Sequence, residues 1–210
     1  MEVLSINLAT PRTIMYRGKE VSTGIYKQPA TGPQEVNRLG LLNDVQVDKR
    51  FHGGPDQALY VFDHSYYEHW QSEMGLADFE YGQFGENLTV KGLRDDEVHI
   101  GDVYQVGEIV VQVTHPREPC FKLGVRMEDA TIVKKFHEYG HPGFYLRIKQ
   151  TGSITSGDQI SLLERDANPM TVADVFRVMH LDNEDLAGIK KAAYLPTLTM
   201  AWREKLLNRL

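Results

Sequence analysis

The sequence predicts a mainly β fold over residues 1–165, followed by a small domain of three helices over residues 166–210. Two observations support this division. Seventeen of the 18 glycines lie in the first part, as expected for short strands joined by tight turns. The second part holds six acidic and six basic residues, so the whole net charge of −6 belongs to the first part. We therefore place the domain boundary near Asn168.

Short runs of β-branched or alternating residues predict the strands of the first part. Gly, Asn, Asp and Pro separate these runs and favour turns. Many short strands with irregular spacing are typical of a closed β-barrel, which leaves no exposed sheet edge. The clearest runs are residues 3–8, 58–62, 87–90, 103–106, 109–114 and 144–148.

Two helices are expected within the β domain. Asp63 can cap a helix over residues 64–74, and Gly75 can end it. A second helix ends before Gly140 and Pro142. Its apolar stripe consists of Ile132, Val133 and Phe136.

The tail is expected to form three helices that pack together or on the β domain, because helices this short are marginal alone. Asn168 is a candidate N-cap followed by Pro169 at the first helical position. Asp182 or Asn183 can cap the second helix, and Pro196 can begin the third. The apolar residues at helical spacing are Val172, Val175, Phe176 and Met179, then Leu186, Ile189 and Ala193, then Leu198, Trp202 and Leu206.

The composition excludes several classes of protein. The chain has 210 residues, of which 41% are hydrophobic, so it can bury a substantial core. Its net charge of −6 argues against binding to nucleic acid or to an anionic membrane surface. No apolar run approaches the length of about 18 residues that spans a bilayer, and residues 1–5 do not resemble a signal peptide. We therefore expect a cytoplasmic protein.

Cys120, the single cysteine, lies in the most informative segment, residues 115–123. One thiol excludes an internal disulfide and a metal site built from several cysteines. If a helical turn begins after Pro119, Cys120 lies at its N-terminus, near the positive charges of Arg117 and Lys122. Such surroundings favour the thiolate, which attacks electrophiles and binds soft metals. The alternative is a buried and unreactive cysteine.

Two glycine-containing segments are further candidates. In residues 48–56, Gly53 and Gly54 follow Arg50 and His52, and their backbone N–H groups can cradle a phosphate or an oxyanion. The alternative is a plain turn before the next strand. In residues 84–87, Glu86 is a candidate acid or base and Asn87 offers both a donor and an acceptor. Here too a turn that enters a strand is the simpler interpretation.

Residues 137–141 match the zinc-protease pattern H-E-x-x-H, which requires both histidines on one face of a continuous helix. Gly140 lies inside the pattern and Pro142 follows it, so the helix should end before His141 can align with His137. We therefore do not predict a zinc site here. There is also no glycine-rich nucleotide-binding motif.

Taken together, these segments resemble the MOSC domain family, named after the C-terminal domain of molybdenum cofactor sulfurase. The tail is similar to the branch with a C-terminal three-helix domain, which includes bacterial 6-N-hydroxylaminopurine resistance proteins. The resemblance covers nearly the whole chain. It rests on residues 22–27, on Asp48 with His52-Gly53-Gly54, and on residues 84–88, 99–102, 116–123 and 156–158.

The resemblance implies a closed β-barrel that carries a molybdenum cofactor, with Cys120 as the molybdenum ligand. The implied activity is the reduction of hydroxylaminopurines and related hydroxylamines to amines. A separate flavoprotein or iron–sulfur protein would donate the electrons, and an exposed face of the tail can recruit that donor or form a homodimer. The resemblance also implies pyridoxal phosphate binding as a property of the family.

The resemblance also suggests roles for individual residues of this molybdopterin site. The candidate proton donors are His52, His115 and Glu86. The sequence departs from many relatives at Gln57, where they have a lysine. The candidate cofactor-binding residues are Lys27, Arg50, His52, Gly53, Gly54, Asn87 and Arg117.

Two other functions stay open at this point. The same cysteine can carry a persulfide and act in sulfur transfer, which needs an accessible thiol but no metal. Alternatively, the protein is a molybdopterin-binding module without catalytic activity.

Overall fold

A computed structural model describes residues 1–45, 47, 53–76, 78–168 and 170–210. In these residues, the first part of the chain contains short strands and three α-helices, and the last part contains three further α-helices. The strands are β1 (Glu2–Leu8), β2 (Arg12–Tyr16), β3 (Lys19–Thr23), β4 (Gln28–Pro29), β5 (Gln34–Asn37), β6 (Gly40–Leu41), β7 (Leu59–Asp63), β8 (Leu88–Lys91), β9 (Val103–Val106), β10 (Ile109–Pro116), β11 (Phe144–Gln150), β12 (Gly152–Ile154) and β13 (Ile160–Glu164). The helices are α1 (Tyr67–Met74), α2 (Phe121–Arg126), α3 (Ile132–Tyr139), α4 (Val172–His180), α5 (Leu186–Ala193) and α6 (Met200–Leu207).

Eight strands form the main sheet in the order β13-β9-β10-β11-β7-β8-β1-β4. All neighbouring pairs are antiparallel except β7 and β8, which are parallel. Backbone hydrogen bonds also join β1 to the residues before β13. Val3 donates to Asp158 O at 3.0 Å, and Gly157 donates to Val3 O at 2.8 Å. The prediction of a sheet-rich domain is confirmed, whereas closure of the barrel stays a prediction that these hydrogen bonds favour.

Two smaller sheets were not predicted from the sequence. The first pairs β12 with β5 and β5 with β6, and the second is the β2–β3 hairpin. The hairpin turn has positive φ at Arg17 (50°) and Gly18 (74°), as the favoured two-residue turns require. Both hairpin strands are mostly exposed, so they lack the buried alternation that reveals a strand in a sequence.

Both predicted helices of the β domain are present. Asp63 accepts a hydrogen bond from the N–H of Ser65 at 2.9 Å, and the segment starts as a 3-10 turn before α1. Gly75 ends α1 in the left-handed conformation with φ 64°, as expected. Gly140 ends α3 in the same way with φ 77°.

The tail forms the three predicted helices, but their caps differ from the prediction. Thr171 caps α4 and forms a capping box with Asp174, so Asn168 is not the cap, and Pro169 lies outside the described residues. Asp185 caps α5 in place of Asp182 or Asn183, because its side chain reaches the N–H of Gly188. The third helix begins at Met200 and not at Pro196.

The hydrophobic core runs without a break from the β domain into the tail. One cluster of buried residues contains Val111 and Val113 of β10 together with Phe176 of α4 and Trp202 of α6. A second cluster is largely aromatic and packs α1 and α3 against the sheet. In it, the rings of Trp70 and Phe136 stack with their centroids 4.1 Å apart. Among the described residues, no helix is both long enough and apolar enough to cross a membrane.

Asp95 is a fully buried carboxyl group with one oxygen unpaired. Its Oδ2 accepts the N–H of Gly143 at 2.9 Å, whereas no described residue hydrogen-bonds to Oδ1. Burial raises the pKa of Asp95 to about 8; the hydrogen bond from Gly143 opposes this rise, and the charge of Asp63 adds to it. The folded protein therefore holds a proton that the unfolded chain releases near pH 4.

We expect the contribution of Asp95 to the free energy of unfolding to fall as the pH rises from about 4 to 8, because this group then binds fewer protons in the unfolded chain than in the folded one. The variant Asp95→Asn has no titrating group at position 95. Its stability relative to the wild type should therefore increase as the pH rises from about 4 to 8. Urea unfolding at pH 5, 7 and 9 measures the difference. Asp96→Asn is the control, because Asp96 is exposed and its hydrogen bond with Arg94 lowers its pKa. A pH-independent difference for Asp95→Asn would contradict the prediction.

Candidate functional site

Cys120 lies where two adjoining cavities meet. The inner cavity has a volume of about 110 Å³ and is lined by residues of the β domain. The outer groove has a volume of about 800 Å³ and lies between the β domain and α6. Six residues line both: Gly53, Gln57, Glu118, Cys120, Lys122 and Tyr145. Cys120 can therefore contact a group bound in either cavity.

The backbone places Cys120 at the end of an extended loop, immediately before α2. Its φ of −128° and ψ of 171° are extended. The loop is anchored by the N–H of Arg117, which donates to Gly143 O at 2.8 Å. The predicted helical turn begins at Phe121, and the side chain of Cys120 is half-buried.

Two buried cations flank the cysteine. Arg117 is 5% exposed, and its guanidinium lies 5.2 Å from the ring centre of Tyr60. Its Nη2 makes one long hydrogen bond of 3.4 Å to Phe84 O, whereas Nη1 is buried and has no partner among the described residues. Lys122 is 7% exposed and makes no ion pair within the described part of the chain. Buried charges normally have partners, so these two cations fit an anionic ligand such as a phosphate.

Lys27 also lines the inner cavity, but its charge is already neutralised. Its Nζ lies 2.6 Å from Oδ1 of Asp44, and Asn87 Nδ2 donates to the other carboxylate oxygen at 2.8 Å. Asn87 Oδ1 in turn accepts the N–H of Tyr60 at 3.1 Å. The sequence analysis missed Asp44, because nothing local marks an acid 17 residues from Lys27 as its partner.

His115 lines the outer groove as a neutral imidazole. Gln57 Oε1 accepts the N–H of Gly53 at 2.8 Å, so its amide nitrogen faces His115 Nε2 at 3.2 Å. The Nδ1 atom then carries the hydrogen and donates to Thr114 Oγ1 at 3.1 Å. Burial, helped by the charges of Arg147 and Lys205, lowers the pKa of His115 to about 3. His115 therefore has no proton to donate as an imidazolium at neutral pH.

Glu86 lies outside both cavities and is fully buried. Its carboxylate accepts hydrogen bonds from the N–H of Gly82 at 2.8 Å and of Phe84 at 3.0 Å. It also accepts the hydroxyl protons of Thr89 and Tyr67. With these four donors Glu86 fixes the turn that precedes β8. The structure does not bring it to Cys120, and we leave it out of the site.

The glycine segment is described only in part. Gly53 lines both cavities with φ 122°, and Gly54, with φ 92°, precedes a 3-10 turn at Pro55–Gln57. Arg50 and His52 lie outside the described residues.

Tyr145 is a site residue that the sequence analysis did not single out. It lies on β11 and lines both cavities. Burial raises the pKa of Tyr145 above its ordinary value, which already keeps a phenol protonated at neutral pH. Residues 144–148 were predicted as a strand, but no local motif linked Tyr145 to Cys120.

The zinc-protease pattern is not a metal site in this fold. Helix α3 ends before His141, as predicted. His137 stacks on His180 with ring centroids 4.8 Å apart, whereas His141 stacks on Tyr66 at 4.9 Å. Within the described ranges, no group of three or more His, Cys, Asp or Glu residues could hold a metal ion.

Residues 48–161 match the model of the MOSC domain. The chain belongs to the MOSC domain family. Residues 170–210 match a second family, the YiiM-like 3-alpha helix domain. The matched MOSC region contains Cys120, Arg117 and Lys122, and the three-helix match contains α6, which borders the outer groove.

Several proteins are similar to this MOSC chain. The uncharacterized protein YflK of Bacillus subtilis (strain 168) is 36% identical over 99% of this chain and 93% of its own length. Protein YiiM of Escherichia coli (strain K12) is 29% identical over 89% of this chain and 84% of its own length. A protein named "Reductase" from Gibberella moniliformis is 34% identical over 85% of this chain, but the match spans only 32% of that protein.

Solved structures share the whole fold of this MOSC protein. The crystal structure of YiiM from Geobacillus stearothermophilus has a TM-score of 0.85 and 32% identity, and the match covers 100% of this chain and 98% of that one. The crystal structure of YiiM from Escherichia coli has a TM-score of 0.76 at 22% identity, covering 100% and 92%. The second match supports the fold alone.

Proposed function

We propose that this MOSC protein binds a molybdenum cofactor through Cys120 and reduces N-hydroxylated compounds, such as hydroxylaminopurines, to amines. The observation that carries the proposal is the pair of buried cations, Arg117 and Lys122, that flank the only thiol of the chain without counter-charges among the described residues. A pterin phosphate needs cations, and a metal bound through sulfur needs one soft ligand; all three residues line the same cavity. The relative named "Reductase" supports an oxidoreductase.

Each residue has a separate role in this proposal. Cys120 provides the sulfur ligand, and Arg117 and Lys122 hold the negative charge of the cofactor. Gly53 and Gly54 offer backbone N–H groups to the phosphate. Lys27 and Asn87 shape the cavity wall through Asp44. Arg50 and His52 stay proposed cofactor-binding residues on the family resemblance alone.

The reaction adds two electrons and two protons to the N–O bond and releases an amine and water. The cofactor supplies the electrons when bound, and a separate flavoprotein or iron–sulfur protein replaces them. Tyr145 lines both cavities together with Cys120, and its phenol hydroxyl carries a proton at neutral pH. We therefore propose Tyr145 as the proton donor of the described site, in place of His115 and Glu86.

The proposal also includes the architecture that surrounds the cofactor. We propose that residues 1–165 and 166–210 are the two domains. The sheet of the first would close into a barrel around the inner cavity, which the hydrogen bonds between β1 and residues 157–160 support.

The experiment is to produce the protein in a host that makes molybdenum cofactor and to measure its metal and activity. We expect about one molybdenum per chain and reduction of 6-hydroxylaminopurine to adenine with reduced methyl viologen as donor. A persulfide on Cys120 without molybdenum would instead indicate the sulfur carrier. Stoichiometric molybdenum without turnover would indicate the non-catalytic module.

Replacement of Arg117 by methionine is expected to lower the bound molybdenum and pterin at least tenfold, because the phosphate loses a buried, charge-assisted partner. The metal-free variant should unfold at the same temperature as the metal-free wild type or above it, since a buried charge without a partner does not stabilise the fold. Metal analysis and thermal unfolding measure the two effects. The control is Arg94→Met, which removes an exposed arginine paired with Asp96. Full cofactor content in Arg117→Met would refute the assigned role.

A further inference from the structure

The outer groove has aromatic walls contributed by both parts of the chain. His115 and Tyr145 belong to the β domain, with ring centroids 5.1 Å apart. Trp202 of α6 faces them, with its ring centroid 5.7 Å from that of His115. A volume of about 800 Å³ lies within the range of small-molecule sites. The three rings contact one another and so form one aromatic surface, on which a planar ring can pack.

The charged groups around this groove are mostly paired. Lys205 lies 2.9 Å from Glu118, and Asp56 lies 2.8 Å from Arg147. His115 is neutral, because burial lowers its pKa. Lys122 is the exception, but it also lines the inner cavity, where the cofactor charge would neutralise it. The groove therefore favours an uncharged ligand.

Thr199 provides a polar group on the tail side of the groove. It occupies the N-cap position of α6, yet its side chain makes no capping hydrogen bond. The residue is 7% exposed, and its Oγ1 is buried without a partner in the described ranges. Met200 and Ala201 line the groove beside it, and the first N–H groups of a helix have no partner within the helix. This end of α6 therefore presents unused donors to a ligand.

We propose that the outer groove binds the heteroaromatic ring of an uncharged N-hydroxylated substrate, and that Thr199 is a specificity-determining residue of this site. The Thr199 hydroxyl donates to a ring nitrogen while Trp202 and Tyr145 contact the ring. The N-hydroxyl group then points towards Cys120, which lines the same groove. This inference rests on the proposed function for the reaction, but the ring-binding site can be tested without the cofactor.

The first test is equilibrium binding of adenine, the expected amine product, to metal-free protein by calorimetry. Thr199→Val keeps the shape of the side chain and removes the hydroxyl, so we expect about three- to tenfold weaker binding, the effect of one neutral hydrogen bond. Thr199→Ser keeps the hydroxyl and should bind adenine with about the wild-type affinity. Thr31→Val, at an exposed position, should also leave the affinity unchanged. Absence of adenine binding to the wild type, or equal affinity in Thr199→Val, would overturn the proposal.

The second test compares two substrates of the cofactor-loaded protein. For 6-hydroxylaminopurine, Thr199→Val should raise KM about three- to tenfold with kcat within about twofold. For hydroxylamine, which has no ring, kcat/KM should stay unchanged. An equal loss of kcat/KM for both substrates would mean that Thr199 has only a structural role, and it would overturn the inference. Thr199-dependent adenine binding without any reduction would instead refute the proposed function and retain the ring site.

Discussion

Replacement of Cys120 by serine is expected to abolish both molybdenum binding and the reduction of N-hydroxylated compounds. The chain has no other thiol to take its place. A serine hydroxyl is a hard ligand that keeps its proton at neutral pH, so it binds a soft metal site poorly. We expect at least a hundredfold loss of kcat and less than one-tenth of the wild-type molybdenum content, an order-of-magnitude expectation from the loss of a metal ligand.

We expect Cys120→Ser to fold as stably as the wild type. Cys120 is half-buried and occupies the N-cap position of α2, where its side chain makes no capping hydrogen bond. Serine is a preferred N-cap residue, so the free energy of unfolding should stay equal or rise by up to about 1 kcal/mol. Metal analysis, steady-state kinetics and thermal unfolding of the same preparation separate ligand loss from unfolding. Cys120→Ala, which offers no ligand atom, gives the molybdenum content and the kcat that remain without any ligand at position 120. Stoichiometric molybdenum in Cys120→Ser would refute the assignment of the ligand.

Replacement of Lys27 by methionine is expected to destabilise the protein by about 3–5 kcal/mol, because it leaves the carboxylate of Asp44 buried without its counter-charge. The two side chains are only 7% and 6% exposed. Burial lowers the pKa of Lys27, and the charge of Asp44 opposes that shift. Asn87 and the N–H of Ala9 still donate to Asp44 after the change, but neither carries a charge.

A double-mutant cycle isolates the energy of this pair. Adding Asp44→Asn to Lys27→Met removes the stranded charge, so the double variant should recover at least half of the lost free energy of unfolding. Urea unfolding of the four proteins gives the coupling. Lys134→Met is the matched control, because Lys134 forms an exposed pair with Glu138 and its loss should cost less than about 0.5 kcal/mol. Additive losses in the cycle would mean that Lys27 and Asp44 do not depend on each other.

Sequence reasoning predicted the features that have local causes. Gly75 and Gly140 end their helices because a left-handed residue is required there, and that requirement is visible in the sequence. The helical turn considered after Pro119 is present and begins at Phe121, with Cys120 at its N-cap position. The strands with buried alternation were also found within a few residues of their ends.

The features that were missed depend on contacts between distant parts of the chain. Several polar residues precede each tail helix, and tertiary packing decides which of them becomes the cap. Glu86 looked like an acid beside the site, but its four donors come from the turn before β8, from Thr89 on β8 and from Tyr67. The partner of Lys27 and the groove at α6 could not be predicted, because both form only when separate elements meet.

The hydrophobic core that continues from β10 into the tail limits how this protein can move and evolve. The tail cannot swing away from the β domain without exposing Phe176 and Trp202 to water, so the two parts should behave as one rigid body. The width of the groove is then set at folding and not by ligand-driven closure. New substrate preferences would arise by substitutions along α6, on the side opposite to the chemistry at Cys120. Selectivity and reactivity can therefore change independently in this chain.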